Sequence, residues 1–273
     1  MKNKKIAVAM SVYKSDLANN LKISLDSIIN QDYVNFHIII QVDGPVGDDV
    51  HMLLSNYENC DNVSIHFNEL NLGLAQRLND CIEIALLDED IHYIARMDSD
   101  DISEVDRFQK QVSFLELNPE VDVLGTDVWE ISSSGEKKFY KSMDSNHKKL
   151  VNKIIKKCPF NHPSVMMKKS IFKSGIRYKS ELMNTQDYYL WVDLIADGRV
   201  FANLNEPLLN FRVDDDFHQR RGFKKAMNDL NARIYAFKKL NNLNVSNLMH
   251  TVALFILRIS PPVLKKIAYN RLR

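Results

Sequence analysis

Two hydrophobic periods alternate along the first hundred residues of the chain. Ile6 to Val12 is an apolar run with β-branched residues, and Leu17 to Ile29 then sets Leu21, Leu25, Ile28 and Ile29 at helical spacing. Phe36 to Val42 repeats the strand pattern and ends in the turn residues Asp43-Gly44-Pro45. A helical pattern over Asp48 to Tyr57 and a strand over Val63 to Phe67 follow. Leu74 to Leu87 carries Leu78, Ile82, Ala85 and Leu86 on one face, and Ile91 to Met97 is a fourth strand. Strands that are apolar on both faces and alternate with helices predict a parallel sheet covered by helices.

Past residue 101 the pattern is more mixed. Ser103 is the expected N-cap of a helix reaching about Leu117, where Asn118-Pro119 closes it. Val121 to Ile131 and Lys138 to Lys141 flank Ser132 to Gly135 as a hairpin. Helices are expected at Asn146 to Lys156 and Asp187 to Ala196, with strands near Ser164 to Met167 and Val200 to Ala202. Neither an internal repeat nor a low-complexity linker interrupts the chain.

A length of 273 residues with 45% hydrophobic content suits one large α/β domain followed by a tail, with two modest domains as the alternative. The net charge of +1 hides an asymmetry. Residues 222–273 hold ten Lys and Arg against a single acid, Asp229, which leaves 26 basic and 34 acidic residues upstream. Cys60, Cys81 and Cys158 are odd in number and form no Cys-x-x-Cys pair, so a disulfide framework and a zinc site are not expected. A reducing cytoplasm fits that usage. The basic Met1 to Lys5 precedes a run that reads as a strand rather than as the apolar core of a secretion signal, so export is not expected. The longest apolar candidate for a membrane span, Val252 to Leu257, stops at Arg258 and is far too short.

The chemistry concentrates in Arg96-Met97-Asp98-Ser99-Asp100-Asp101, directly after the fourth strand. Open α/β sheets bind ligands at that end. Three carboxylates within four residues repel one another and are stable only if solvated, capping a helix or neutralised by a cation. Mg²⁺ or Mn²⁺ would neutralise them, because hard cations take one or two carboxylates and complete their shell with diphosphate oxygens. The competing reading is that Asp100, Asp101 or Ser103 caps the next helix.

Ser11-Val12-Tyr13, Asp43-Gly44, Asn71-Leu72-Gly73-Leu74 with Asn79, and Ile94 to Asp101 together resemble a family 2 glycosyltransferase of GT-A fold, the inverting class. The likeness continues through Arg107-Phe108, Val123-Leu124-Gly125, Asn161-His162-Pro163-Ser164-Val165-Met166 and Gln186-Asp187-Tyr188-Tyr189-Leu190-Trp191, covering about residues 5 to 220. Its nearest subgroup is similar to bacterial enzymes of O-antigen, capsule and exopolysaccharide synthesis. The resemblance implies a Rossmann-like, mostly parallel sheet in a catalytic domain over residues 1–220. Its nucleotide-sugar half would end near residue 101 and its acceptor half would follow, with a helical tail over 221–273.

The resemblance also implies site roles. Ser11 and Tyr13 would lie against the nucleotide, Asp43 would accept from the base, commonly a uracil N–H, and Asn71, Asn79, Arg96 and Ser99 would belong to the donor site. Asp98 and Asp100 would form the Asp-x-Asp element that holds Mn²⁺ or Mg²⁺. Asp187 would be the general base, since inversion needs a carboxylate opposite the leaving diphosphate. The family usually shows Glu-Asp there, and this chain has Gln186-Asp187. Read without the family pattern, Asp43 is a turn aspartate and Asp187 an N-cap. His162 is expected near the acceptor pocket or in the core. Arg212 and His218 would fall on a loop closing over the diphosphate, where the added Asp214-Asp215-Asp216 reads as solvated.

The partners that the resemblance implies are a nucleotide-sugar donor, by the family's habit a UDP-sugar, and a glycan or lipid-linked oligosaccharide acceptor. Leu248 to Leu257, followed by Arg258, Pro261-Pro262, Lys265, Lys266, Arg271 and Arg273, suits a segment lying on an anionic membrane, with packing on the catalytic domain as the alternative. That places the enzyme in the cytoplasm at the inner face of the bacterial plasma membrane. The acidic body and the scarcity of aromatics in the tail argue against nucleic acid. Two other functions compete. A nucleotidyltransferase would want a glycine-rich basic loop after the first strand, and Ser11 to Asp16 has no glycine; a noncatalytic sugar-binding homologue would not need Asp43, Asp98, Asp100 and Asp187 together.

Overall fold

The computed structural model of the chain describes residues 4–182, 185–213 and 223–260. Its first four strands, β1 (Lys5–Tyr13), β2 (Phe36–Asp43), β3 (Val63–Asn68) and β4 (Ile91–Arg96), run parallel in the order β3-β2-β1-β4. Helices α1 (Ala18–Ile29), α2 (Asp48–Ser55) and α3 (Leu74–Leu87) make the crossovers. Alternate residues of β1 explain the continuous apolar run. Ile6, Val8, Met10 and Val12 pack with α1, α2 and α4 (Arg107–Leu117), whereas Ala7 and Ala9 face α3. A strand covered on both faces leaves no polar alternation to read.

The second half of the sheet is mixed. The strands β5 (Ile102–Ser103), β6 (Val123–Ile131), β7 (Lys137–Lys141), β8 (Met166–Lys168) and β9 (Phe201–Arg212) extend the order to β3-β2-β1-β4-β8-β6-β9-β5, with β7 paired to β6. Here β8 lies antiparallel between β4 and β6, β9 runs parallel to β6, and β5 closes the edge antiparallel to β9. Helices α5 (His147–Lys153), α6 (Gln186–Ala196), α7 (Phe223–Leu240) and α8 (Val245–Ile259) complete the described chain.

Two expectations change. Ser103 is not an N-cap: it lies in β5, its N–H donates to Ser27 Oγ at 3.0 Å, and α4 starts four residues later with Asp106 at the N-cap. Gln31, just past the end of α1, donates to Ser103 Oγ and to the Glu104 carbonyl, so a long-range polar network outcompetes local capping. The strand expected near Val200 to Ala202 runs instead for 12 residues. Its polar middle is satisfied by β6 and its surroundings: Asn203 Nδ2 donates to the Asp144 and Pro159 carbonyls, and Asn205 Nδ2 to the Met143 carbonyl.

Gly125 on β6 makes room for β9. A Cβ there would stand 2.2 Å from Asn203 Oδ1 and 2.6 Å from Phe160 Cδ1, and the Asn203 side chain is pinned by its two bonds. We expect Gly125→Ala to cost about 2 kcal/mol through overpacking, read as a lowered midpoint in a thermal melt. A melt matching wild type would show that Asn203 yields.

Candidate active site

The carboxyl ends of β1, β2 and β4 open onto one cavity of about 940 Å³. Ser11 and Tyr13 come from the end of β1, Asp43 from the end of β2, and Asp98, Ser99 and Asp100 from the loop after β4. These are parallel neighbours: Ala9 pairs with Arg96, and Tyr13 with Asp43. The strand order alone therefore gathers residues as far apart in sequence as Ser11 and Asp100, at the place where α/β sheets bind ligands. Asn71, Gln186 and Arg212 also line the cavity.

Asp43 anchors one end. It is buried, and the N–H groups of Leu72 and Gly73 donate to its Oδ1 and Oδ2 at 2.8 and 2.9 Å, while Arg77 Nε donates to Oδ1 at 2.8 Å. A carboxylate has about four acceptor sites, so these three bonds leave one for a ligand N–H. Asn71 Nδ2 donates to the Asp43 carbonyl at 3.1 Å, and Gly44 at φ +80° lies so close that a Cβ would stand 3.0 Å from the Asn71 nitrogen. Turn and loop are locked together by that approach.

The acidic loop forms the other end, and it is electrostatically frustrated. Asp16 joins it: Ser99 Oγ donates to Asp16 Oδ2 at 2.7 Å and Tyr13 N–H at 3.1 Å. Burial, opposed by those bonds and aided by Asp98, pushes the Asp16 carboxyl up to about 6. Burial first, then the charges of Asp98 and Asp16, push Asp100 up to about 7. Asp101 is fully buried; its Oδ1 accepts from Arg212 N–H at 2.8 Å, and its Oδ2 has no hydrogen-bond partner. Burial and its two acidic neighbours hold that carboxyl well above the usual range. Asp98 is relieved by Arg96, which pairs with its Oδ1, and Ser24 Oγ donates to the Asp98 carbonyl at 2.9 Å. None of these carboxylates caps α4.

Among the described residues no three His, Cys, Asp or Glu side chains converge into a ready metal cage. Asp98 and Asp100 offer the smaller set that suits a divalent cation finishing its shell with diphosphate and water. The raised Asp100 gives a pH test. Its folded value exceeds the unfolded one, so its stabilising contribution is complete below about pH 4 and is lost as pH rises through about 7. In metal-free protein, Asp100→Asn, which cannot titrate, should match wild type near pH 4. It should gain about 2 kcal/mol on it by pH 8, allowing for the site's partial exposure. Paired thermal melts across that range check the sign, and a variant less stable at pH 8 would contradict it.

Four of the expected residues do not line this cavity. Asn79 clamps Tyr178, donating to its carbonyl at 2.8 Å and accepting from its N–H at 2.9 Å, and so fixes the segment that carries Ser180 and Leu182 to the cavity wall. Arg96 is buried and bonds the Met97 carbonyl as well as Asp98. His162 shares a 2.8 Å hydrogen bond with Tyr178 Oη, and burial together with Arg96 drives its ring well below its ordinary value, so it is neutral. Asp187 lies in the first turn of α6, behind Thr185 at the N-cap, with Cys158 Sγ 3.9 Å from its Oδ2. Burial raises its carboxyl, while the N–H groups of Tyr188 and of Asp187 itself and the charge of Arg96 oppose that rise.

Arg212 sits at the end of β9 rather than on a free loop. Its Nε donates to the Asp100 carbonyl at 2.9 Å, and its Nη1 to the Ser132 and Ser133 carbonyls, so it braces the acidic loop against the β6–β7 turn. His218 and residues 214–216 lie outside the described residues. Asp16, Arg77 and Arg107 were not singled out from the sequence. Arg107, fully buried, donates to the Arg96 and Pro163 carbonyls and so holds the base of the acidic loop. The motif Arg107-Phe108 was its only signal.

Comparison with known proteins agrees with this geometry. The sequence profile of glycosyl transferase family 2 matches residues 7–175. The chain is 31% identical over 235 residues to the amylovoran biosynthesis glycosyltransferase AmsE of Erwinia amylovora, covering 85% of each. It is 27% identical over 274 residues to the Escherichia coli UDP-Gal:alpha-D-GlcNAc-diphosphoundecaprenol beta-1,3-galactosyltransferase, covering 98% of this chain and 96% of that one. In fold it is similar to TarS residues 1–349 of S. aureus, solved in complex with UDP-GlcNAc, with a TM-score of 0.61 at 16% identity, covering 94% of this chain and 82% of that one. With a parallel Rossmann-like half, a mixed second half and an acidic loop at their junction, the chain has the GT-A fold and belongs to glycosyl transferase family 2.

Proposed function

We propose that the protein transfers a sugar from a UDP-sugar, with inversion, to a hydroxyl of a glycan or lipid-linked acceptor in bacterial surface polysaccharide synthesis. The observation that carries this reading is the single cavity bounded by Asp43 at one end and by Asp98 and Asp100 at the other. A nucleotide diphosphate needs an acceptor for its base N–H and a home for its negative charge, and this cavity offers both. The name of the Erwinia relative supports a role in polysaccharide biosynthesis, and that of the E. coli relative states a UDP-sugar donor, a lipid-linked acceptor and a β linkage.

Asp43 receives the base at its remaining acceptor site, while Ser11 and Tyr13 border the nucleotide. Asp98 and Asp100 would hold Mn²⁺ or Mg²⁺, which when bound supplies the positive charge that stabilises the leaving diphosphate. Arg212 and Ser24 keep the loop backbone in place, and Asp16 positions Ser99. Asp187 takes the proton from the acceptor hydroxyl. The work is done where such acceptors reside, at the cytoplasmic face of the membrane.

The test is a panel of nucleotide sugars with purified protein, read as released nucleoside diphosphate. One UDP-sugar should give turnover with Mn²⁺ or Mg²⁺ and none in excess chelator. Full turnover in chelator would refute the metal requirement, release of pyrophosphate would favour nucleotidyl transfer, and no release from any donor would favour a noncatalytic homologue.

A further inference from the structure

The last described helix presents a continuous apolar stripe to solvent. In α8, Val245, Leu248, Met249, Val252, Ile256 and Ile259 are between 49% and 75% exposed. At 3.6 residues per turn these six positions fall within an arc of about 100°, a continuous apolar stripe. The face opposite the stripe is the one that meets α7, and it mixes polar residues with the partly buried Leu254 and Leu257. Asn247 and Thr251 are the buried residues there, Thr251 Oγ1 donates to the Asn247 carbonyl at 2.9 Å, and Arg258 pairs with Asp229 at 2.6 Å. The helix leaves its continuous apolar stripe in solvent. It has 15 residues, and no helix among the described residues is long and apolar enough to cross a membrane.

The segment that carries the stripe is basic. Lys238 and Lys239 end α7, and Lys156 Nζ donates to Ser246 Oγ at the start of α8. Asp229, the single acid after residue 222, is buried and neutralised by Arg258, so no exposed carboxylate of this segment opposes an anionic surface. Residues 261–273 add four more Lys and Arg and no acid. An apolar stripe on a segment with ten Lys and Arg against one buried acid fits the headgroup layer of an anionic bilayer better than it fits a protein partner, whose interface core is depleted of charge.

We infer that α8 docks the enzyme on an anionic membrane through the Val245–Ile259 stripe, with the surrounding lysines and arginines on phosphate headgroups. The inference rests on the proposed function for its purpose, delivery of the active site to a lipid-linked acceptor, and not for its geometry. Full-length protein is mixed with vesicles of phosphatidylcholine alone or with about a third phosphatidylglycerol and sedimented. Wild type should bind the anionic vesicles, release partly at high salt, and bind the neutral ones far less. Leu248→Asn/Val252→Asn/Ile256→Asn should bind at least tenfold more weakly while keeping its melting temperature and its rate of donor hydrolysis, since all three side chains are exposed. Equal sedimentation of wild type and variant would overturn the inference. So would a wild-type dimer in solution that the variant dissolves, because the stripe would then be covered by a second copy. Loss of donor hydrolysis in wild type itself would count against the proposed function and leave the vesicle result standing.

Discussion

Asp100→Ala should remove metal-dependent donor binding while leaving the fold at least as stable as wild type. The two halves of that expectation come from one cause. Asp100 is held up to about 7 by burial and by Asp98 and Asp16, so without a cation its negative charge is a source of repulsion. A helix cap replaced by alanine would instead cost about 1 kcal/mol, and α4 begins several residues further on with Asp106 at its N-cap. Removing Asp100 therefore relieves strain in the metal-free protein. In the presence of Mn²⁺ and UDP the sign reverses, because one of two carboxylates available to the cation is gone. Groups that merely orient metal ligands are worth about 10- to 100-fold in affinity, and a direct ligand should exceed that, so UDP affinity in Mn²⁺ should fall by about 100-fold or more. Calorimetry with and without Mn²⁺ separates the parts. Wild-type affinity for UDP in Mn²⁺ would remove Asp100 from the metal site, and an unfolded variant would contradict the reading of frustration.

The first half of the molecule was legible in the sequence because its strands are covered on both faces. Ile6 to Val12, Phe36 to Val42 and Ile91 to Met97 leave no polar alternation, and each ends where the cavity begins, so fold and site position came together. The second half was less legible because its polar residues are satisfied across the chain. β9 hides behind Asn203, Asn205, Glu206, Pro207 and Asn210, which a strand period does not accommodate until Asp127, Asp144 and Glu104 are brought alongside as partners. Ser103 has the local chemistry of a cap, and only the approach of Ser27 and Gln31 diverts it. Arg212 looks in sequence like a phosphate ligand on a loop, whereas in the fold three carbonyls occupy its guanidinium. Asp16 had no sequence signal at all, since nothing local distinguishes a loop aspartate that will meet Ser99 from one in solvent.

Asp187→Asn should keep donor affinity and fold but lose most of the transfer rate. Asp187 is set apart from the donor carboxylates: it sits in the first turn of α6, next to Gln186, which does line the cavity, and its carboxyl faces Cys158 rather than Asp98 or Asp100. Burial makes it a stronger base than an exposed aspartate, while the first-turn N–H groups and Arg96 oppose that rise. A base placed in this way contributes roughly 10² to 10⁴ in rate, and an amide in its place cannot take the acceptor's proton. Asparagine occupies the same space and accepts the same first-turn N–H bonds, so α6 should be undisturbed, whereas alanine would confuse loss of the base with loss of those bonds. The measurement is transfer to acceptor in single turnover, beside UDP affinity in Mn²⁺ as the control. A single displacement aided by this base also turns an α-linked donor into a β-linked product, which the anomeric proton coupling of the product reads directly. Near-normal transfer by Asp187→Asn, or a product of retained configuration, would show that the proton leaves by another route and that Asp187 serves only the end of its helix.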